Sequence, residues 1–152
     1  MSAAPASDPQ NDRVMNAMAI EIVQPPSWPA PRGYVNGIAA RGRTLHVAGQ
    51  IGWTPDGQFE TDDFVEQLAQ ALDNVLAVVR AAGAGPEHVV RMTIYVTDLD
   101  AYRDNLKAIG RAWKERFGKH FPAMALVGVA GLVERRAKVE IEATACLPEA
   151  GA

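Results

Sequence analysis

Glu140 and Glu142 are the residues of this chain best placed to do chemistry. They stand in Lys138-Val139-Glu140-Ile141-Glu142-Ala143-Thr144-Ala145, where apolar and polar residues alternate. An alternating run of this kind is a strand with one buried face. Val139, Ile141, Ala143 and Ala145 share that face. Glu140, Glu142 and Thr144 share the other, with the two carboxylates about 6.5–7 Å apart by strand rise. A strand with its charged side in water satisfies this pattern with no function at all. The preceding stretch, Pro122 to Ala130, is apolar on both faces, which suits a central or covered strand. A glutamate beside such a strand is held half out of water, where it serves as an acid, a base or a holder of water. Both readings are open on the pattern alone.

Other chemistries lack their residues. The serines are Ser2, Ser7 and Ser27, none in the part expected to fold around a site, so a serine nucleophile is not expected. Cys146 is the single cysteine; it has no basic neighbour to activate it and is expected to be a buried thiol. His46, His88 and His120 match no metal spacing. Gly83-Ala84-Gly85 follows a helix rather than a strand, the wrong context for a phosphate loop. No metal and no cofactor is expected. The net charge of −3 and the pI of about 5.6 do not favour a nucleic-acid partner. No run is long enough to span a bilayer, and the first residues hold no apolar signal core. With one cysteine, the expected compartment is the cytoplasm.

The elements that must position these residues follow from periodicity and punctuation. The 152 residues, 48% hydrophobic and 22% charged, suit one globular domain, expected over 19–148 between a disordered tail at 1–18 and a loose end at 149–152. Strands are expected at Ile20 to Val23, Tyr34 to Ala40 and Arg43 to Gln50, the last two joined as a hairpin at Arg41-Gly42. Asp62 or Asp63 caps a helix whose apolar face is Val65, Leu68, Leu72, Val75, Leu76 and Val79, and Gly83 ends it. His88 to Thr97 is a strand. A second helix runs from Asp100 to Gly118 on the spacing of Tyr102, Leu106, Ile109, Trp113 and Phe117, with a basic stripe of Arg103, Lys107, Arg111 and Lys114 that reads as a solvated face. Two strands, Ala123 to Ala130 and Lys138 to Cys146, finish the domain. The order β-β-β-α-β-α-β-β predicts an α+β fold with two helices on one face of a single mixed sheet. The other face, carrying Tyr95, Leu126 and Ala130, is then bare, and a homo-oligomer is expected to cover it.

Several segments together resemble the RidA (YjgF-type, L-PSP endoribonuclease-like) family of reactive-intermediate deaminases, over roughly Ile20 to Leu147. They are Gly33-Tyr34, Val47-Ala48-Gly49-Gln50-Ile51, Glu66-Gln67, Ala71-Leu72-Asp73-Asn74-Val75, Ala82-Gly83, the run Val89 to Leu99, Phe121-Pro122-Ala123 and Val139 to Ala145. The resemblance implies a chorismate-mutase-like two-layer fold, a homotrimer with clefts between subunits, and cofactor-free hydrolysis of enamines and imines to a carbonyl compound and ammonia. It implies a glutamate near the attacking water, here Glu140, and a cleft-lining tyrosine, here Tyr34. The family's serine before Gly49-Gln50 is Ala48 in this chain. Its carboxylate-binding arginine, after Pro122-Ala123, is Met124, with Leu126 further along the same strand. Glu140 and Tyr34 as catalytic residues, with Met124, Ala48, Gly49, Gln50, Ala123 and Leu126 around the substrate, form the expected site. Methionine donates no hydrogen bond, and the contact it replaces is worth about 1.5–3 kcal/mol. The expected substrate is therefore a small metabolite, an enamine or imine larger or less anionic than those derived from small amino acids, or another activated small molecule. A non-catalytic metabolite-binding trimer is the alternative, and RNA cleavage a distant third.

Overall fold

The computed structural model describes residues 20–149. The tail expected over 1–18, and residues 150–152 of the expected loose end, lie outside it. Among the described residues the chain forms β1 (Ile20–Val23), β2 (Gly37–Ala40), β3 (Arg43–Ile51), α1 (Phe64–Ala81), β4 (Val89–Val96), α2 (Leu99–Asp104), α3 (Leu106–Phe117), β5 (Ala123–Gly128) and β6 (Val139–Leu147), with a 3-10 turn at Pro86–His88. The main sheet has the order β3-β6-β4-β5. β6 is antiparallel to both of its neighbours, and β4 and β5 are parallel. A parallel pair needs a crossover, which α2 and α3 supply. Among the described residues no helix is long and apolar enough to cross a membrane.

The helices lie on one face of this sheet, as the α+β expectation has it. Leu68, Leu72, Val75, Leu76 and Val79 of α1 are buried against Val47, Met92, Ile94, Val96, Ile141 and Ala143. Asp63 caps α1 by accepting from the Glu66 N–H at 2.9 Å. The Asp63 N–H goes to Thr61 Oγ1 at 3.0 Å, so the cap holds both the helix and the loop before it. Gly83, at φ +80, turns the chain out of the helix.

Three expectations are corrected. Arg41-Gly42 closes no β2–β3 hairpin, because β2 pairs with β1 in a separate antiparallel ribbon. Gly42, at φ +147, turns the chain away, and a Cβ there would lie 2.9 Å from the Leu147 carbonyl oxygen. The second helix is two, α2 and α3. Asn105 leaves helical geometry at φ −115, ψ 20 and its Nδ2 donates to the Ala101 carbonyl at 2.8 Å, a local bond that competes with the ladder. Leu126 does not face away from the helices. β5 is in parallel register with β4, Met92 beside Met124 and Ile94 beside Leu126. Neighbours in register share a face, so Leu126 points to the helix side. The open face is polar over β3, β6 and β4, where it carries His46, Arg91, Thr93, Tyr95, Glu142 and Thr144, and apolar over β5, where Ala123, Ala125 and an exposed Val127 lie beside them; Ala130 lies beyond the end of β5.

Gln67 is the polar residue buried within this core. Its Nε2 donates to the carbonyls of Thr61 and Arg136, at 3.1 and 3.0 Å, and its Oε1 accepts from the Lys138 N–H at 2.9 Å. Gly52 lets the strand-end loop lie against it; a Cβ there would come within 2.7 Å of the Gln67 Cβ. One side chain thus ties the loop before α1 to the loop that launches β6. Gln67→Leu strands three backbone groups, each worth about 1–3 kcal/mol when buried without a partner. Urea unfolding should show a loss of at least about 3 kcal/mol.

Candidate functional site

Glu140 sits on β6 between Ile51 of β3 and Tyr95 of β4, half-buried on the open face. β3 bulges there: its register against β6 shifts between Val47 and Gln50. The bulge carries Ala48, Gly49 and Gln50, and of these three expected site residues Gly49 is placed against the Glu140 side chain. The Gln50 amide closes the bulge by donating to the Ala48 carbonyl at 3.1 Å. Gly49 lies directly under the glutamate, and a Cβ on it would overlap Glu140 Oε1. Glycine is required because the carboxylate occupies the space of a side chain. Asn74 of α1 fixes the end of β3 from behind, donating to the carbonyls of Ile51 and Trp53 at 2.9 and 2.8 Å.

Glu142 is engaged elsewhere. The Tyr95 hydroxyl donates to Glu142 Oε1 at 2.7 Å, although Tyr95 stands directly opposite Glu140 in the register. The phenol thus goes to the diagonal carboxylate. The Glu140 carboxylate makes no hydrogen bond or ion pair to a side chain among the described residues.

Tyr34, Met124 and Leu126 meet in a second place, a groove of about 560 Å³ between α3 and β5. Its wall is Trp113, stacked between Phe117 and Phe121 at centroid distances of 4.4 and 5.7 Å. Lys114 and Lys119 also line it. Ala123 begins β5 opposite Arg91 and faces the open side. The expected residues therefore divide into two clusters. Glu140 is two strands across from β5 and level with Val127. Met124 is three residues further along and faces the other way, so their Cα atoms are roughly 14 Å apart. One small substrate cannot touch both within a single chain.

Of the basic stripe, Arg103 pairs with Asp100 at 3.1 Å and Lys114 reaches the groove. Arg136 is held by Asp62, the Phe59 carbonyl and the Phe59 ring. Sequence reasoning missed Gly110, Trp113 and Phe121 as groove residues; a glycine in the middle of an amphipathic helix was the available signal. Among the described residues no cluster of histidine, cysteine, aspartate and glutamate is placed to hold a metal ion.

The family model for endoribonuclease L-PSP matches residues 26–147. The chain belongs to the Rid (YjgF/L-PSP) family. This Rid protein is 32% identical over 132 residues to the goat 2-iminobutanoate/2-iminopropanoate deaminase, covering 86% of this chain and 93% of the relative. Among solved structures it resembles a Yersinia pestis Rid protein, YyfB, described as of unknown function, with a TM-score of 0.75 and 34% identity over 86% of this chain and all of that one. It also resembles Escherichia coli TdcF, solved with bound serine, with a TM-score of 0.62 and 30% identity over 84% of this chain and 98% of that one.

The bond to Glu142 is the main cause that raises the Tyr95 phenol above its ordinary pKa of 10.0. The raised value means the folded chain holds its proton longer than the unfolded one. The stabilisation from this pair is therefore complete below the ordinary tyrosine range and is lost as pH rises through the folded value. In an alkaline titration followed by ultraviolet absorbance, Glu142→Gln should move one tyrosine to a lower midpoint.

Proposed function

We propose that this Rid protein hydrolyses an enamine or imine with release of ammonia, and that it does so as a homotrimer in which Glu140 of one subunit meets the Tyr34–Met124 groove of another. The observation that carries this reading is the division of the expected residues between opposite faces of one sheet. Each chain presents one half of a constellation, and a second copy supplies the other half. Hydrolysis of an imine needs a water that adds to the C=N carbon, a proton for the nitrogen, and collapse of the carbinolamine to carbonyl and ammonia. A carboxylate without a side-chain partner suits the first two tasks, taking a proton from water and returning it to the leaving nitrogen. The relatives named as deaminases are named for two short 2-imino acids, 2-iminobutanoate and 2-iminopropanoate. Met124 gives no grip on a carboxylate, so the preferred substrate differs from these, being larger or less anionic. The single thiol, Cys146, is buried, and a reducing cytoplasm is the compartment we infer.

Phosphodiester cleavage is the weaker reading, because the histidines are apart and two are occupied. His88 Nδ1 accepts from the Gly85 N–H at 3.1 Å, and His120 Nε2 contacts the Val89 carbonyl at 2.7 Å.

Two experiments test the proposal. Sedimentation should give three times the 16.3 kDa chain mass; a stable monomer at micromolar concentration removes the composite site. The wild-type protein should be slow on 2-aminoacrylate, and Met124→Arg should raise that activity, by at most roughly a hundredfold, the size of one charge-assisted contact. In that background Glu140→Gln should abolish the gain. A trimeric Met124→Arg protein inert on every imino acid tried would put the metabolite-binding trimer ahead.

A further inference from the structure

Gly110 stands in the middle of α3, where a glycine is unfavourable. Glycine in a helix interior is ordinarily explained by close packing. Here a Cβ would meet nothing within 4 Å, so packing does not demand it. The space it leaves belongs to the groove. Trp113 is one turn further along the same helix, and Met124 and Leu126 line the groove from β5. Leu106, 57% exposed, lies one turn before it and leaves an apolar surface facing water. The groove's volume lies in the range of small-molecule pockets. Its charged lining residues are Lys114 and Lys119, both cationic and both exposed.

We propose that this groove takes the aromatic side chain of a 2-imino acid, and of the 2-keto acid it yields, and that Gly110 determines that specificity. The ring lies in the space Gly110 leaves, against Trp113 and Met124. The carboxylate is directed outward to Lys114 and Lys119, which do at the mouth what Met124 cannot do at the floor. A methyl-sized side chain leaves the apolar walls wet and gains little from them. The substrate assignment rests on the deaminase reading above; binding of the keto acid is measured without it.

The test begins with the wild-type trimer and two stable keto acids, phenylpyruvate and pyruvate, titrated against tryptophan fluorescence. Phenylpyruvate should quench saturably and bind at least tenfold tighter than pyruvate, the scale expected for burying a ring. Trp113→Phe should remove most of the signal, since Trp28 and Trp53 are outside the groove. Gly110→Phe should weaken phenylpyruvate at least tenfold. Lys114→Ala with Lys119→Ala should weaken it in a salt-dependent way. Gly110→Ala is the folded control, with a raised Tm because the helix loses its glycine. In turnover, imines made in place by an amino-acid oxidase from phenylalanine should be favoured in kcat/KM over those from alanine, and Gly110→Phe should invert the ratio. Equal binding of the two keto acids by the wild type overturns the proposal, and so does unchanged phenylpyruvate binding in a folded Gly110→Phe trimer. If Gly110→Phe does not fold, Gly110→Leu, a good helix former that also fills the space, takes its place and should weaken phenylpyruvate at least tenfold; a folded Gly110→Leu trimer with unchanged phenylpyruvate binding overturns the proposal. Gly110-dependent binding of phenylpyruvate with no hydrolysis of any imine upholds the groove and overturns the deaminase reading alone.

Discussion

The strand β6 must lie between β3 and β4, and most of the molecule follows from that. Hydrogen-bonded along both edges and covered on one face by α1, it keeps Val139, Ile141, Ala143 and Ala145 in the core. Because side chains alternate with a period of two, Glu140, Glu142 and Thr144 then have no choice of face. A slip of one residue would bury two carboxylates and expose four apolar side chains. The register is pinned at its start by Gln67, which receives the Lys138 N–H before the strand begins. It is pinned again where β3 bulges over Gly49 to make room for the Glu140 side chain.

The same face holds two glutamates that the fold treats differently. Tyr95 reaches diagonally to Glu142 and leaves the carboxylate directly across from it without that donor. One becomes part of the sheet's polar surface, while the other is left facing the bulge.

What could be read from residues alone was what has a period. The apolar face of α1 and the alternation of β6 are each repeated often enough to be unambiguous. Pro122 to Ala130 has no alternation, so nothing in it tells Leu126 or Met124 which way to point. The parallel register with β4 decides that, and register is a long-range property. The break at Asn105 was hidden because Tyr102, Leu106 and Ile109 keep helical phase across it. Arg41-Gly42 announces that the chain turns but not which strand it will pair with. The likeness to the Rid family supplied the roll of site residues, and their separation onto two faces appeared only once the sheet was assembled. Gly110 carried a signal of its own, since a helix glycine with no close neighbour needs a reason.

Among the described residues the central strand is also the last one in chain order. As the polypeptide is synthesised, β3 and β4 emerge with no strand between them, and the apolar side of the sheet has α1 above it but no middle. The parallel pair of β4 and β5 can form around its helical crossover, yet β3 has nothing to join until β6 arrives. Native assembly therefore waits until β6 has emerged, and the contacts that complete it are among the most distant in sequence. Such a chain spends its nascent life with two unpaired strand edges, the state in which chaperones find their clients, and loss of its final strand would dissolve the sheet rather than shorten it.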